Sequence, residues 1–412
     1  METNQQHRFN LDCRDFILNL GSLVLCVVDV VLDIYAVVDF YQEEDYVSLG
    51  VLVFLLLGSS VLSQAYSWLW YSYDELKNSK VEGFFGGFCL KVVHLCQMGL
   101  YLRFAGVVEV STQSFCNGNS EGREMSLSHD LNMLRLIETF SESSPQLVLM
   151  LTVIIHRGVL EPITVLKTAG SVAAIAISVT MYHRSLRAFL PDKTEQTWVA
   201  SFVYFLWNLF LIGTRVIALA LFTSVLPCYF PAHFLSLWII LVFCAWRENT
   251  TFMDSPGGEQ LFQATLGLIW YFSWFNVSAG QTKRKCLFYY SFITVDTCVL
   301  CCVWYWRITT DPPYFKSSLP PYAVLIGMLL LYSIGLLFRV VYYKWFHPTG
   351  TNLRTAEPES EPEPNLRGVA TQEGSDEVDN VLMDRNMQGP SRPARVKTRM
   401  EKLSVNFYSD KT

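Results

Sequence analysis

The sequence predicts an all-α protein that crosses a membrane about eight times. Three observations predict it. The chain is 51% hydrophobic and only 17% charged, with a mean hydropathy of +0.27. Apolar segments near the length of one helical crossing, about 20 residues, recur from Phe16 to Phe346. Lysines and arginines gather after particular segments, as cytoplasmic loops do.

Taken in order, residues 1 to 14 are polar and Phe16 to Phe40 is the first span, with acidic residues inside it and no small-residue cleavage site after it. It therefore reads as a retained helix rather than a signal peptide. An acidic turn, Tyr41 to Tyr46, leads to a second span, Val47 to Tyr71, whose Trp68, Trp70 and Tyr71 suit a membrane interface. Phe84 to Val110 carries Lys91, His94, Arg103 and Glu109, which suits a re-entrant helix covered by protein better than a full crossing.

Leu127 to Ile155 crosses next, opening near Ser128, a good N-cap, and interrupted at Pro145. Ile163 to Arg184, Trp198 to Thr223 and Phe234 to Trp246 follow. Leu261 to Val277 is a second re-entrant candidate, and Phe288 to Trp306 and Val324 to Phe346 complete the membrane part. Placing Lys77/Lys80, Arg184/Arg187/Lys193, Lys283/Arg284/Lys285 and Arg339/Lys344 inside gives eight crossings, two re-entrant helices and cytoplasmic termini. The order divides into two similar halves, 1–190 and 195–347, suggesting a parallel structural repeat.

Residues 348–412 are charged, proline-bearing and poor in aromatics, the composition of a disordered cytoplasmic tail. The tail contains Asp376-Glu377-Val378-Asp379 followed by Asn380. An executioner caspase reads Asp at the cut position and Asp four positions back in an extended chain. Cutting after Asp379 would free the basic 380–412 piece and lower its effective concentration at any docking site on the bundle.

The functional signal is charge at lipid depth. Asp29 and Asp33 lie four residues apart on one helix face, and Asp15 falls about five turns before Asp33 on that same face. Arg135, Glu138 and Glu142 line one face of a later helix. A charge at a helix centre costs about 2.5–3.5 kcal/mol on insertion scales, so these groups need partners. Arg103, Arg135, Arg215 and His183 are the bases available, and Asp130 is a further acid. The residues are open to two readings: interhelical ion pairs that fix packing, or a polar track serving lipid headgroups, ions or small solutes. A ladder spread between leaflets suits a headgroup moving along it, whereas a solute site would concentrate charge near the midplane.

Other residues read more simply. Asp296 suits a paired structural role, and His94 and His233 satisfied polar positions. Most of the 11 cysteines sit in apolar spans as small hydrophobes, with a bridge between Cys228 and the Cys298–Cys302 group the one disulfide to consider. No metal-ligand spacing, nucleotide loop or nucleophile elbow is present, so neither metal nor cofactor nor enzyme activity is expected, and nothing points to nucleic acid. Sequence alone leaves three function classes: a passive lipid scramblase, a secondary transporter, and a non-catalytic scaffold for a glycoprotein.

The segments NMLRLIETFSESSPQL, YHRSLRAFLP, VYFLWNLFL, WYFSWFNV and RVVYYKWFHP resemble the XK-related family over roughly residues 10 to 350. TFMDSPGGEQLF and the tail tetrapeptide resemble its apoptotic members in particular. That resemblance implies a caspase-activated phospholipid scramblase of the plasma membrane that exposes phosphatidylserine as an engulfment signal. It also implies escort by a single-span immunoglobulin-type glycoprotein such as basigin or neuroplastin.

Overall fold

A computed structural model describes residues 13–73, 87–117, 123–157, 162–189, 196–248, 250, 252–277, 282–310 and 320–346. For residues 13–19, 87–88, 114–117, 123–125, 162–165, 188–189 and 282–283 it describes the backbone alone. The tail and the boundary between the two expected halves lie outside the described residues.

Among the described residues every regular element is helical. In chain order these are α1 (Cys13–Gln42), α2 (Tyr46–Tyr73), α3 (Gly87–Leu95), α4 (Gly99–Asn117), α5 (Arg123–Glu138), α6 (Ser144–Arg157) and α7 (Pro162–Phe189). They are followed by α8 (Trp198–Val225), α9 (Phe230–Arg247), α10 (Pro256–Phe272), α11 (Thr282–Thr310) and α12 (Pro321–Val341). Five helical stretches are long and apolar enough to cross a membrane: Tyr46–Tyr73, Trp198–Val225, Pro227–Arg247, Arg284–Thr310 and Pro321–Phe346. The other three expected crossings are the 30-residue α1, the 28-residue α7, and α5 joined to α6.

The two re-entrant candidates are both broken helices. Phe84 to Val110 splits into α3 and α4 at Cys96–Met98, where Gln97 adopts a positive φ of 62° that lets the chain turn. Leu261 to Val277 is helical to Phe272 and then continues as buried non-helical chain through Val277.

Most of the apolar helices are on the outside, and one apolar helix, α8, and one polar helix, α5, are at the centre. In α8, 72% of its apolar window is buried, against 11% for the last span, so α8 is core while α12 offers its surface to lipid. Around α8 pack α6, α7, α11 and α12. The other central element is α5, where every side chain from His129 to Ile137 is buried, including His129, Asp130, Asn132 and Arg135. It packs against α2, α4 and α7, which shield its polar groups. This is the arrangement that charges at lipid depth require.

One local expectation needs correcting. Ser128 is not an N-cap: α5 already begins at Arg123, because the preceding residues continue the helix. At Pro145 the helical pattern is interrupted, as expected, but the chain does not leave the helix. A π turn, Thr139–Ser143, joins α5 to α6, and the N–H of Ser144 bonds back to the carbonyl of Thr139. A proline at position 145 cannot donate to the carbonyl of Ser141 and its ring crowds that group. The wider turn relieves the crowding, and such turns concentrate at functional sites. Here it touches α2, α7 and α10, with Phe140 stacked on Phe272 at 6.1 Å.

Candidate functional site

The charged residues fall into separate groups rather than one ladder. The largest joins α1 to α5 and α6. Arg135 Nη1 donates to Glu138 Oε2 at 2.5 Å, while its Nη2 donates to Asp29 Oδ2 at 3.4 Å. One helical turn along α1, Asp33 accepts from the Gln146 amide at 2.9 Å. Glu142 stands within hydrogen-bonding reach of Asp33 and of Ser59 on α2, and the Ser59 hydroxyl also meets that of Ser141 at 2.8 Å. Two carboxyl groups thus meet one guanidinium, and two more, Asp33 and Glu142, lie beyond them in the same group.

This group is not sealed. The side chain of Asp29 is 41% exposed and that of Glu138 18%, against 10% for Arg135. Much of the rest of α1 is exposed and apolar, including Val24, Val28, Val31, Leu32 and Tyr35, so the helix faces lipid while its acidic stripe turns to the bundle. Beside Arg135 a cavity of about 250 Å³ opens between α1, α5 and α7. Its polar lining is Ser22, Asn132, Arg135 and Ser178, and Gly21, Leu25, Ile177 and Met181 supply the apolar walls.

The contacts between α1 and α5–α6 ascend in step. Ser22 shares the cavity with Asn132 and Arg135. Asp29 meets Arg135, Asp33 meets Gln146, and just past the end of α1 Glu43 pairs with Arg157. Ala36, Phe40 and Leu52 pack with Leu149, Met150 and Val153 between the last two levels. The helices therefore run in the same direction, with α1 packed against α2 and α4 and joined to α5 and α6 by these side chains. From Ser22 to Gln42 the rise is about 30 Å at 1.5 Å per residue, close to the thickness of a bilayer hydrocarbon core.

The remaining expected site residues lie elsewhere. Arg103 reaches Asp130 at 3.8 Å, donates to the Ser67 hydroxyl at 2.9 Å and carbonyl at 3.1 Å, and stacks over the Tyr71 ring at 4.0 Å. Both charges are buried, which suits a structural clamp between α2, α4 and α5. His183 stacks on Tyr204 at 4.3 Å, with Nδ1 2.9 Å from the Gln196 amide oxygen, and does not join the α1 stripe. Arg215 pairs with Asp296 at 2.6 Å, and His233 meets the other Asp296 oxygen at 3.1 Å. His94 is satisfied by the Leu90 carbonyl and the Ser67 hydroxyl, each at 2.9 Å. Of the four bases expected to face the acidic stripe, only Arg135 does. The helix of Asp15 is present but its side chain is outside the described residues, as are Asp376, Glu377, Val378, Asp379 and Asn380.

Arg215 is 2% exposed in this pair. Removing one member of a buried pair strands the other charge and costs roughly 3–5 kcal/mol. Arg215→Met is therefore expected to lower the unfolding midpoint in detergent sharply, and Asp296→Asn in the same chain to restore part of it.

Sequence reasoning did not single out Ser22, Ser59, Asn132, Ser141, Gln146 or Ser178. Each is a small or neutral polar residue, and only the fold gathers them. Among the described residues no group of histidine, cysteine or acidic side chains could hold a metal ion, and Cys228, Cys298, Cys301 and Cys302 are free thiols.

The XK-related protein family matches this chain over residues 17–348. An XK-related protein 8 of Tetraodon nigroviridis is 42% identical over 353 residues, covering 83% of this chain and 85% of that protein. The XK-related protein 8 of Pan troglodytes is 33% identical over 346 residues, covering 82% of this chain and 85% of its own.

Proposed function

The chain belongs to the XK-related family, and from that premise we propose that it is a phospholipid scramblase switched on by an executioner caspase. The observation that carries the proposal is the polar stripe between α1 and α5–α6. Its polar levels run from Ser22 to Asp33, about 17 Å of helix, with the Glu43–Arg157 pair beyond an apolar layer, and it opens at Asp29 and at the cavity beside Arg135. A headgroup that carries an ammonium presents a charge that such an acidic stripe accepts, while its acyl chains remain against the apolar face of α1. The flow is passive: lipid moves down its own gradient and no energy-coupling group is needed. The activity exposes phosphatidylserine on the plasma membrane of apoptotic cells and marks them for engulfment. In this reading both termini are cytoplasmic, and a single-span immunoglobulin-type glycoprotein, basigin or neuroplastin, escorts the chain.

A transporter would hold its solute and coupling ion at one focal site. Here the polar groups are strung along two parallel helices, which favours a lipid route.

The direct test is exchange of a fluorescent phospholipid in liposomes containing the full chain, with and without executioner caspase. Exchange is expected only after cleavage. The Asp379→Ala variant is expected to stay silent with caspase present, and a chain ending at Asp379 to be active without it. Equal exchange in cut and uncut protein would remove the switch.

A further inference from the structure

Among the described residues, the stripe from Ser22 to Glu43 offers a phosphate no free cation. Arg135 is held by Glu138 and Asp29, and Arg157 by Glu43. Every phospholipid nevertheless carries a phosphate. A base without an acid does stand on the other side of α1. It is Lys167 of α7, whose ammonium lies 5.2 Å from the centre of the Tyr35 ring on α1. Among the described residues no carboxylate pairs with it.

Two contacts place Lys167 at one end of a groove between α1 and α7. At the far end, Gly21 and Leu25 of α1 share a cavity wall with Ser178 and Met181 of α7. At the near end, Lys167 reaches Tyr35. Gly21 to Tyr35 and Lys167 to Met181 span the same length of helix, about 21 Å at 1.5 Å per residue. The two helices therefore face each other, antiparallel, over that length. Three- and four-residue steps keep Gly21, Leu25, Val28, Leu32 and Tyr35 on one face of α1, all exposed. The same steps keep Lys167, Ser171, Ala174, Ser178 and Met181 on one face of α7, each exposed or half-buried. The packing partners of α1 are α2 and α4, and those of α7 are α5, α6 and α8, so the facing stripes are left to the membrane. A lysine that only snorkelled would follow its own helix to water. This one leans across the groove to the opposite wall.

We infer that Lys167 is the phosphate-binding residue of a phospholipid site between α1 and α7, and that it sets the headgroup class the route takes. The inference rests on the lipid-route reading and adds the phosphate half of the headgroup to it. A lysine binds phosphate as a point charge with three donors. The Tyr35 ring steers the ammonium without neutralising it, so the charge remains for an anion. Leu25, Val28, Leu32 and Ala174 along the walls favour an anion carried on an acyl chain over a soluble one. The acidic stripe on the bundle side of α1 remains for an ammonium.

The test is native mass spectrometry of the full chain in detergent with added phosphatidylcholine or glucosylceramide, a lipid without phosphate. The parent chain is expected to retain phosphatidylcholine. Lys167→Gln is expected to retain it about tenfold less, the weight of one charge-assisted hydrogen bond, and Lys167→Arg to match the parent. Glucosylceramide retention is expected to be alike in all three. Equal phosphatidylcholine retention by Lys167→Gln overturns the inference. So does an equal loss of glucosylceramide, which marks a damaged groove, or displacement of the lipid by excess inorganic phosphate, which marks a soluble-anion site. After executioner caspase, exchange of fluorescent phosphatidylcholine in liposomes is expected to fall several-fold in Lys167→Gln and to return in Lys167→Arg. Unchanged exchange by a Lys167→Gln chain that has lost its lipid overturns the role in headgroup choice. No exchange by the parent, with Lys167-dependent retention intact, removes the lipid-route reading and upholds the phosphate site.

Discussion

Replacing Asp29 and Asp33 together with asparagine is expected to slow caspase-activated lipid exchange by on the order of tenfold or more, a barrier change of about 1.4 kcal/mol per tenfold. The fold is expected to survive. Asparagine matches aspartate in size, and the amide oxygen introduced at position 33 still accepts from Gln146, as the carboxylate does at 2.9 Å. Arg135 keeps its 2.5 Å pair with Glu138. The loss is two negative charges on the one face of α1 that meets the bundle. A headgroup ammonium then has no counter-charge at two successive levels of the route. Exchange assayed in vesicles, beside size-exclusion elution and melting of the same preparation, separates a transport defect from a folding defect. Normal exchange in a well-folded double variant would assign both aspartates to packing alone.

Arg135→Gln is expected to lower stability sharply. Its guanidinium is the one base among Asp29, Asp33, Glu138 and Glu142, and its side chain is only 10% exposed. Leaving a buried partner charge uncompensated costs roughly 3–5 kcal/mol. Glu138 bears most of that cost because its contact is short and its side chain is 18% exposed. Asp29 bears less, being 3.4 Å away and 41% exposed, where water screens it. Arg135→Gln with Glu138→Gln is accordingly expected to recover much of the loss, with a coupling of roughly 0.5–3 kcal/mol in a double-mutant cycle. Adding Asp29→Asn instead is expected to recover less. Equal rescue by the two would contradict the geometry of the group.

The parts of this account that the sequence displays are those set by local spacing. Asp29 and Asp33 share a face because four residues make about one turn, and Arg135, Glu138 and Glu142 share one for the same reason. The misfit of a charged helix in an apolar chain was also plain, and α5 is buried on all sides as that misfit requires. The broken helices at Gln97 and Phe272 correspond to the two stretches that were too polar or too short for a full crossing.

Partner choice was not legible, because it is decided by how helices pack. Arg103 sits beside Asp130 rather than the α1 stripe because α4 packs against α5. Arg215 looks away from α1 altogether, toward Asp296 on α11. Pro145 announced an interruption, but whether it kinks, ends or widens a helix depends on the surrounding turns, and here the π turn keeps α5 and α6 continuous. The cavity was invisible for a different reason. Ser22, Asn132 and Ser178 come from three helices, and nothing in a lone serine or asparagine distinguishes a cavity wall from any other polar position.

Filling that cavity tests the proposed route most directly. Ser178 lies on the α7 wall of that space and is partly exposed. In liposomes holding the full chain and treated with executioner caspase, Ser178→Trp is expected to block exchange of fluorescent phospholipid. Its melting temperature and caspase cleavage are expected to match the parent chain. Exchange at the parent rate, from a folded and fully cleaved Ser178→Trp protein, would show that headgroups do not pass between α1, α5 and α7.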